Sequence, residues 1–488
     1  MTAYYLVPWR KARNGLLLAV SYYFYMGWDP RYVVLLFGCT LITYINGLFI
    51  SIAKRETEEN VPKEKRRTGA IKVYVGLTLI VMMGVLFWFK YANFLTSSLV
   101  DIAAWLGLEL RIPKLNVTLP VGISFFTFQA LGYNIDVYRG TVKAEKNFFR
   151  YPLFVSFFPQ LVAGPIERSG NLLNQFNEKK KFDPQQVMKG LMLMLWGYFL
   201  KVVIADRTAV LVDRVYNYYT SYTGLIPVIA TIFFAVQIYC DFNGYTIIAI
   251  GTAQAMGFKL MQNFEQPYLA SSVADFWRRW HISLTGWFRD YLYYPLGGNR
   301  KGKARQYLNI MIVFLVSGLW HGAAWTYVLW GGLNGLFQII GRMLKPMREK
   351  ALQRMGVDEK SVGHRVVQSL VTFVLVDFTW LFFRAPDMAT AWAVLRQIGA
   401  AWNPWVLVDG SLYSLGLGRV DFWITVLAIF VLFLVDLQHE RGVHLREIIL
   451  RQPLPVRWTV YFAALIAILL FGVYGPGYDA AAFIYFQF

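Results

Sequence analysis

The chain has 488 residues, of which 57% are hydrophobic and 16% charged, too little polar surface to coat a soluble globule. Its formal net charge of +19 does not point to nucleic acid, because the Lys and Arg residues fall in loops between apolar runs, the positive-inside pattern of an integral membrane protein. Two cysteines in apolar surroundings, Cys39 and Cys240, offer neither a disulfide framework nor a metal-ligand spacing.

In chain order, "MTAYYLVPWRKARN" leads almost directly into a first apolar run, Gly15–Trp28, with no small-residue cleavage site. Val33–Ile50 and Val73–Phe89 follow, separated by Lys54–Lys72, a short loop with seven basic residues. Taking that loop as cytoplasmic fixes the rest by alternation. The basic connections Arg139–Arg150, Lys179–Lys181, Arg300–Arg305, Arg342–Arg365 and Arg441–Arg457 then fall on the same side. Phe422–Leu437 and Trp458–Gly475 complete the long apolar runs. The pattern predicts an all-α, polytopic protein of about eleven spans, N-terminus cytoplasmic and C-terminus extracytoplasmic, in the bacterial inner membrane.

Two stretches are too short or too broken to cross and return. Tyr151–Pro165 contains three prolines and is expected to be re-entrant. Leu308–Ile340 must go out and back in fewer residues than two full spans need, so its turn, "GLWHGAAW", is expected below the outer surface. That turn carries His321.

An imidazole at membrane depth is by default a functional-site candidate; the alternative for His321 is a core histidine bonded to a carbonyl. Of the other four histidines, His364, His439 and His444 lie in basic loops and read as solvated. His281 lies in Phe276–Arg300, where aromatics alternate with Arg278, Arg279, Arg289 and Asp290. This resembles an interfacial segment with snorkelling arginines, which also suit an anionic, phosphate-bearing donor; a structural role is equally open. Gln129, Asn134, Asp136, Asp241 and Asn243 either line a polar passage or bond helix to helix. P-loop, HExxH, CxxC and GxSxG patterns are absent, no metal site is expected, and the matching halves of an inverted-repeat transporter are not visible.

Five stretches carry a resemblance: "LPVGISFFTFQALGYNIDVYRG", "FFPQLVAGPIER", "YCDFNGYTIIAIGTAQAMGF", "NFEQPYLASSVADFWRRWHISLTGWFRDYLYYPLGGNR" and "GLWHGAAWTYVLWGGLNG". In this order, from Leu119 to Gly335, they resemble the membrane-bound O-acyltransferase (MBOAT) family. The matching branch includes the alginate and peptidoglycan O-acetyltransferases and the teichoic-acid D-alanyl exporter. The resemblance implies one domain over residues 1–488, its helices and re-entrant segments arranged about a central tunnel. It implies acyl transfer from a cytoplasmic thioester, acetyl-CoA or alternatively a D-alanyl carrier protein, to an acceptor outside. His321 falls on the family's catalytic histidine and His281 on a second recurring histidine. Arg278, Arg279, Arg289, Asp290, Trp320 and Asn299 become substrate-binding candidates. Two departures stand out: the usual first helix is shortened or missing, and Asn334 stands where many alginate-branch members have histidine.

The chain ends "FIYFQF". Members of this branch are thought to hold the acyl group on a tyrosine in a C-terminal F-x-Y-x-x-F pattern, filled here by Phe483, Tyr485 and Phe488 in a tail over 476–488. A phenol, with pKa of about 10, lies between a thiol at about 8.5 and an aliphatic alcohol, so thioester to aryl ester to alkyl ester runs downhill. The resemblance thus implies a relay through Tyr485 to an extracytoplasmic serine esterase-like (SGNH-type) transferase that acylates a polysaccharide, with no bound cofactor. The alternatives are an aromatic anchor for the C-terminus and a transporter without covalent chemistry.

Overall fold

The computed structural model of the chain describes residues 1–58, 68–474, 483 and 484. Most of the basic loop after Glu58, and Tyr485 and Phe488 at the C-terminus, lie outside these residues. Among the described residues the structure is helical with no strand, as expected of a backbone that must satisfy its own hydrogen bonds in hydrocarbon.

Among the described residues, seven helices are long and apolar enough to cross a membrane: Tyr32–Lys54, Gly69–Trp105, Pro184–Asn217, Leu225–Ala255, Val362–Arg384, Arg419–Glu440 and Leu454–Phe471. The chain is a multi-pass membrane protein. Four more long helices fall below that measure: Arg10–Met26 and Ile123–Arg139 have only 17 residues each, and Gly302–His321 and Trp325–Arg354 carry more polar and basic residues.

The chain packs as two compact units. The first comprises Met1–Leu191 and Ala249–Met261. Within it, the stretch expected to be re-entrant forms two short helices, Arg150–Ser156 and Phe158–Leu161, both largely buried. Two polar residues bond helix to helix here: Gln129 donates to the Phe154 carbonyl at 2.6 Å and Asn134 to the Thr43 carbonyl at 3.1 Å. Glu167 is buried; its carboxylate accepts from Asn171 Nδ2 at 2.7 Å and from the Met261 backbone N–H.

The second unit comprises Met192–Ile248 and Gln262–Phe488. Its centre is a hairpin of Gly302–His321 against Trp325–Arg354. The two backbones approach closely because glycine stands where they touch. A Cβ at Gly318 would overlap the Tyr327 carbonyl, and one at Gly322 would overlap the Tyr327 ring. Gly322 is extended and ends the first helix, leaving His321 as the last helical residue at the turn. The span Pro184–Asn217 widens into a π-helical turn over Phe199–Ala205, a feature frequent at functional sites.

Candidate active site

His321 is 3% exposed. Its Nδ1 lies 2.7 Å from the Ser317 carbonyl, one helical turn back. A carbonyl only accepts, so Nδ1 carries the proton and Nε2 is the basic nitrogen of the neutral ring. Aromatic rings surround it: Trp320 and Trp330 at 4.9 Å and Phe383 at 5.7 Å between centroids. Trp330 is in turn fixed by Asn334, whose Nδ2 donates to the Trp330 carbonyl at 2.9 Å and to Thr379 Oγ1 at 3.1 Å, while its Oδ1 accepts from Trp277 Nε1 at 3.1 Å. Asn334 is therefore a bracket behind the histidine's aromatic wall.

His281 is the second member of the cluster, fully buried, with its ring 6.4 Å from His321 and 5.8 Å from Trp320. Its backbone sits at φ 44°, a left-handed conformation that costs a non-glycine residue about 1–3 kcal/mol and persists only where the surroundings over-determine it. Asn263 supplies that constraint. Its Oδ1 accepts from His281 Nδ1 at 3.0 Å, Ser283 Oγ at 2.9 Å and the Ser283 N–H at 3.3 Å, and its backbone carbonyl accepts from Ile282 at 2.9 Å. With Nδ1 donating to an amide oxygen, His281 also presents Nε2 as its basic nitrogen. Asn263 carries no feature in the sequence that marks it, apart from standing first in "NFEQPYLASS".

A second, largely buried ion cluster joins Pro184–Asn217 to Leu225–Ala255. Lys201, on the π-helical turn, bridges Asp206 at 2.8 Å and Asp241 at 2.7 Å. Asp241 Oδ2 accepts the backbone N–H of Ile484 at 2.8 Å, and Phe483 packs on Tyr245 with ring centroids 5.1 Å apart. Asp241 and Tyr245 are one turn apart on Leu225–Ala255 and share a face. Between them in sequence, Phe242 packs its ring 4.7 Å from His281. Val473 also docks here, donating to the Val202 carbonyl at 3.0 Å. Asp241 thus bonds helix to helix through Lys201, and the same carboxylate also holds the C-terminal segment.

The other sequence candidates are placed as follows. Trp320 belongs to the histidine cluster and is buried. Arg279 pairs with Asp275 at 3.1 Å and Glu440 at 2.6 Å, so its charge is already met. Arg278 has 73% of its side chain exposed and pairs loosely with Asp275 at 3.4 Å. Arg289 and Asp290 pair with each other at 3.0 Å on a π-helical turn, and Asn299 is exposed in the following turn. Tyr485 lies outside the described residues. Among the described residues no three His, Cys, Asp or Glu side chains converge on a metal-sized site.

A family profile, that of the membrane-bound O-acyltransferase family, matches residues 142–379. The chain is 36% identical to the probable alginate O-acetylase AlgI of Pseudomonas aeruginosa, over 87% of this chain and 78% of that protein. It is 33% identical to the peptidoglycan O-acetyltransferase of Helicobacter pylori, over 78% and 72%. It is 30% identical to the teichoic acid D-alanyltransferase of Streptococcus thermophilus, over 50% and 60%.

Proposed function

Because the chain belongs to the membrane-bound O-acyltransferase family and is an acyltransferase of that family, we propose that it carries an acetyl group across the bacterial inner membrane on Tyr485. The donor is acetyl-CoA on the cytoplasmic side, and the final acceptor is a cell-surface polysaccharide. The N-terminus is cytoplasmic and the C-terminus extracytoplasmic in this reading.

His321 Nε2 takes the phenolic proton of Tyr485, and the phenolate oxygen attacks the thioester carbonyl carbon. The C–S bond breaks, the thiolate leaves and takes the proton back from the imidazolium, and an acetyl-Tyr485 ester remains. An extracytoplasmic SGNH-type serine transferase then attacks that ester through its serine hydroxyl, releasing the phenol. His281, held by Asn263, shares the cluster as a second proton acceptor. Trp320 walls the acyl pocket, and Arg278, Arg289, Asp290 and Asn299 take the donor's polar end, while Arg279, already paired with Asp275 and Glu440, holds the segment in place.

The observation that carries this reading is the anchoring of Ile484, the residue before Tyr485, on Asp241, next to the Phe242 ring that packs on His281. Replacing Tyr485 with Phe keeps an aromatic anchor and removes the nucleophile; polymer acylation is lost if the relay operates and persists if the tail only anchors. The long match to the alginate and peptidoglycan O-acetyltransferases, against the shorter one to the D-alanyltransferase, favours acetyl. Supplying acetyl-CoA or a D-alanyl carrier protein to proteoliposomes separates the two donors.

A further inference from the structure

The acyl-transfer machinery leaves one large crevice of the second unit unused. It has a volume of about 710 Å³, within the range of about 300–1,000 Å³ that holds one small ligand. Most of its walls are apolar, among them Leu195, Phe199, Val435, Val460, Ala464 and Ile468. Leu454–Phe471, the helix that supplies the last three, buries only Ile468 against the rest of the structure, which leaves an apolar surface of the kind that lipid covers. Water gains nothing in such a groove, whereas an acyl chain does.

The lining also has a polar set, His439, His444, Arg446, Glu265 and Glu447. Arg446 Nη1 is shielded from solvent and has no hydrogen-bond partner. An unpaired buried guanidinium N–H is costly and marks a position for an oxygen acceptor. The two carboxylates set the second requirement: Glu265 and Glu447 add anionic groups to the lining, so a ligand that carries a cation as well as an anion is matched better than one that carries an anion alone. A headgroup with both a phosphate and an amine meets both demands.

We propose that this crevice binds a zwitterionic, amine-bearing phospholipid, its phosphate on Arg446 Nη1, its amine toward Glu265 and Glu447, and one acyl chain along the apolar walls. The bound lipid would brace Phe264, which lines the crevice beside Asn263 and packs on Phe242 with centroids 5.0 Å apart.

Native mass spectrometry of the full chain in detergent tests this with phosphatidylethanolamine and phosphatidylglycerol of matched chains. Wild type is expected to bind the ethanolamine lipid about fivefold or more tightly than the glycerol lipid. Arg446→Gln should weaken ethanolamine-lipid binding about tenfold, the loss of one charge-assisted contact, with Arg446→Lys restoring most of it. Ala464→Trp, which fills the chain groove, should weaken both lipids. Equal binding of the two lipids, or binding unchanged in both Arg446→Gln and Ala464→Trp, would overturn the proposal. One-for-one displacement of the lipid by millimolar Coenzyme A would also overturn it, assigning the crevice to the acyl donor.

Discussion

Ile484 donates its backbone N–H to Asp241 Oδ2 across 2.8 Å, and Asp241 is itself held by Lys201 at 2.7 Å. The C-terminal segment is thus fastened to a buried carboxylate one residue from Phe242, whose ring packs on His281. A main-chain hydrogen bond to a charged acceptor fixes position without depending on the side chain of residue 484.

That fastening predicts a graded response at Asp241. Asp241→Asn leaves an oxygen for the Ile484 N–H while Lys201 still pairs with Asp206, and acetyl transfer is expected to stay within about tenfold of wild type. Asp241→Ala removes the acceptor, and a misplaced acceptor tyrosine should lower transfer about 100-fold. Limited proteolysis reads the same release directly: the C-terminus of Asp241→Ala is cut faster than that of Asp241→Asn.

His321→Gln preserves much of the side-chain volume and removes the basic Nε2. Transfer is expected to fall by about 10²–10⁴, the usual contribution of a general base, with little change in the thermal unfolding midpoint. A comparable loss accompanied by collapse of folding would make His321 a packing residue instead.

Asn263→Ala leaves His281 Nδ1 and two donors of Ser283 without their shared acceptor. Each lost buried partner costs about 1–3 kcal/mol, so the unfolding midpoint in detergent should drop. The turnover rate should fall more than the apparent affinity for donor, since the histidine is misplaced and the donor's polar end is not touched. Asn263→Asp keeps the acceptor and should recover most of the loss.

The sequence made the apolar architecture and the exceptional position of His321 legible, for physical reasons. Hydrophobic run length reports directly on membrane crossing, and Leu308–Ile340 is too short for two spans, which put a histidine at its turn; the structure has the turn at His321 and Gly322. What escaped the sequence depends on tertiary meetings. Asn263 matters because the left-handed backbone at His281 brings three donors to one amide oxygen. Lys201 sits in an apolar run that nothing in the sequence connects to Asp241; the π-helical turn brings the two together. Arg279, a phosphate candidate by composition, meets Glu440 on a helix distant in sequence.

Glu167 gives a pH prediction independent of catalysis. It lies outside the seven spans, and burial pushes its carboxyl from 4.5 up to about 7, against the opposing hydrogen bonds from Met261 and Asn171. The folded state therefore prefers the protonated acid. Its contribution to stability is fully present below about 4.5 and is lost as pH rises through about 7, a difference of roughly 3 kcal/mol at most. Thermal unfolding of the purified protein between pH 5 and 8 should show this decline, and Glu167→Gln should flatten it. An unchanged slope in that variant would assign the pH dependence to other groups.

The most direct measurement is mass spectrometry of the C-terminal peptide after purified protein is incubated with acetyl-CoA, comparing wild type with His321→Ala. The account predicts one added acetyl on Tyr485 in wild type and none in His321→Ala. An unmodified Tyr485 in folded, donor-bound wild type, or acetylation that persists without His321, would contradict it.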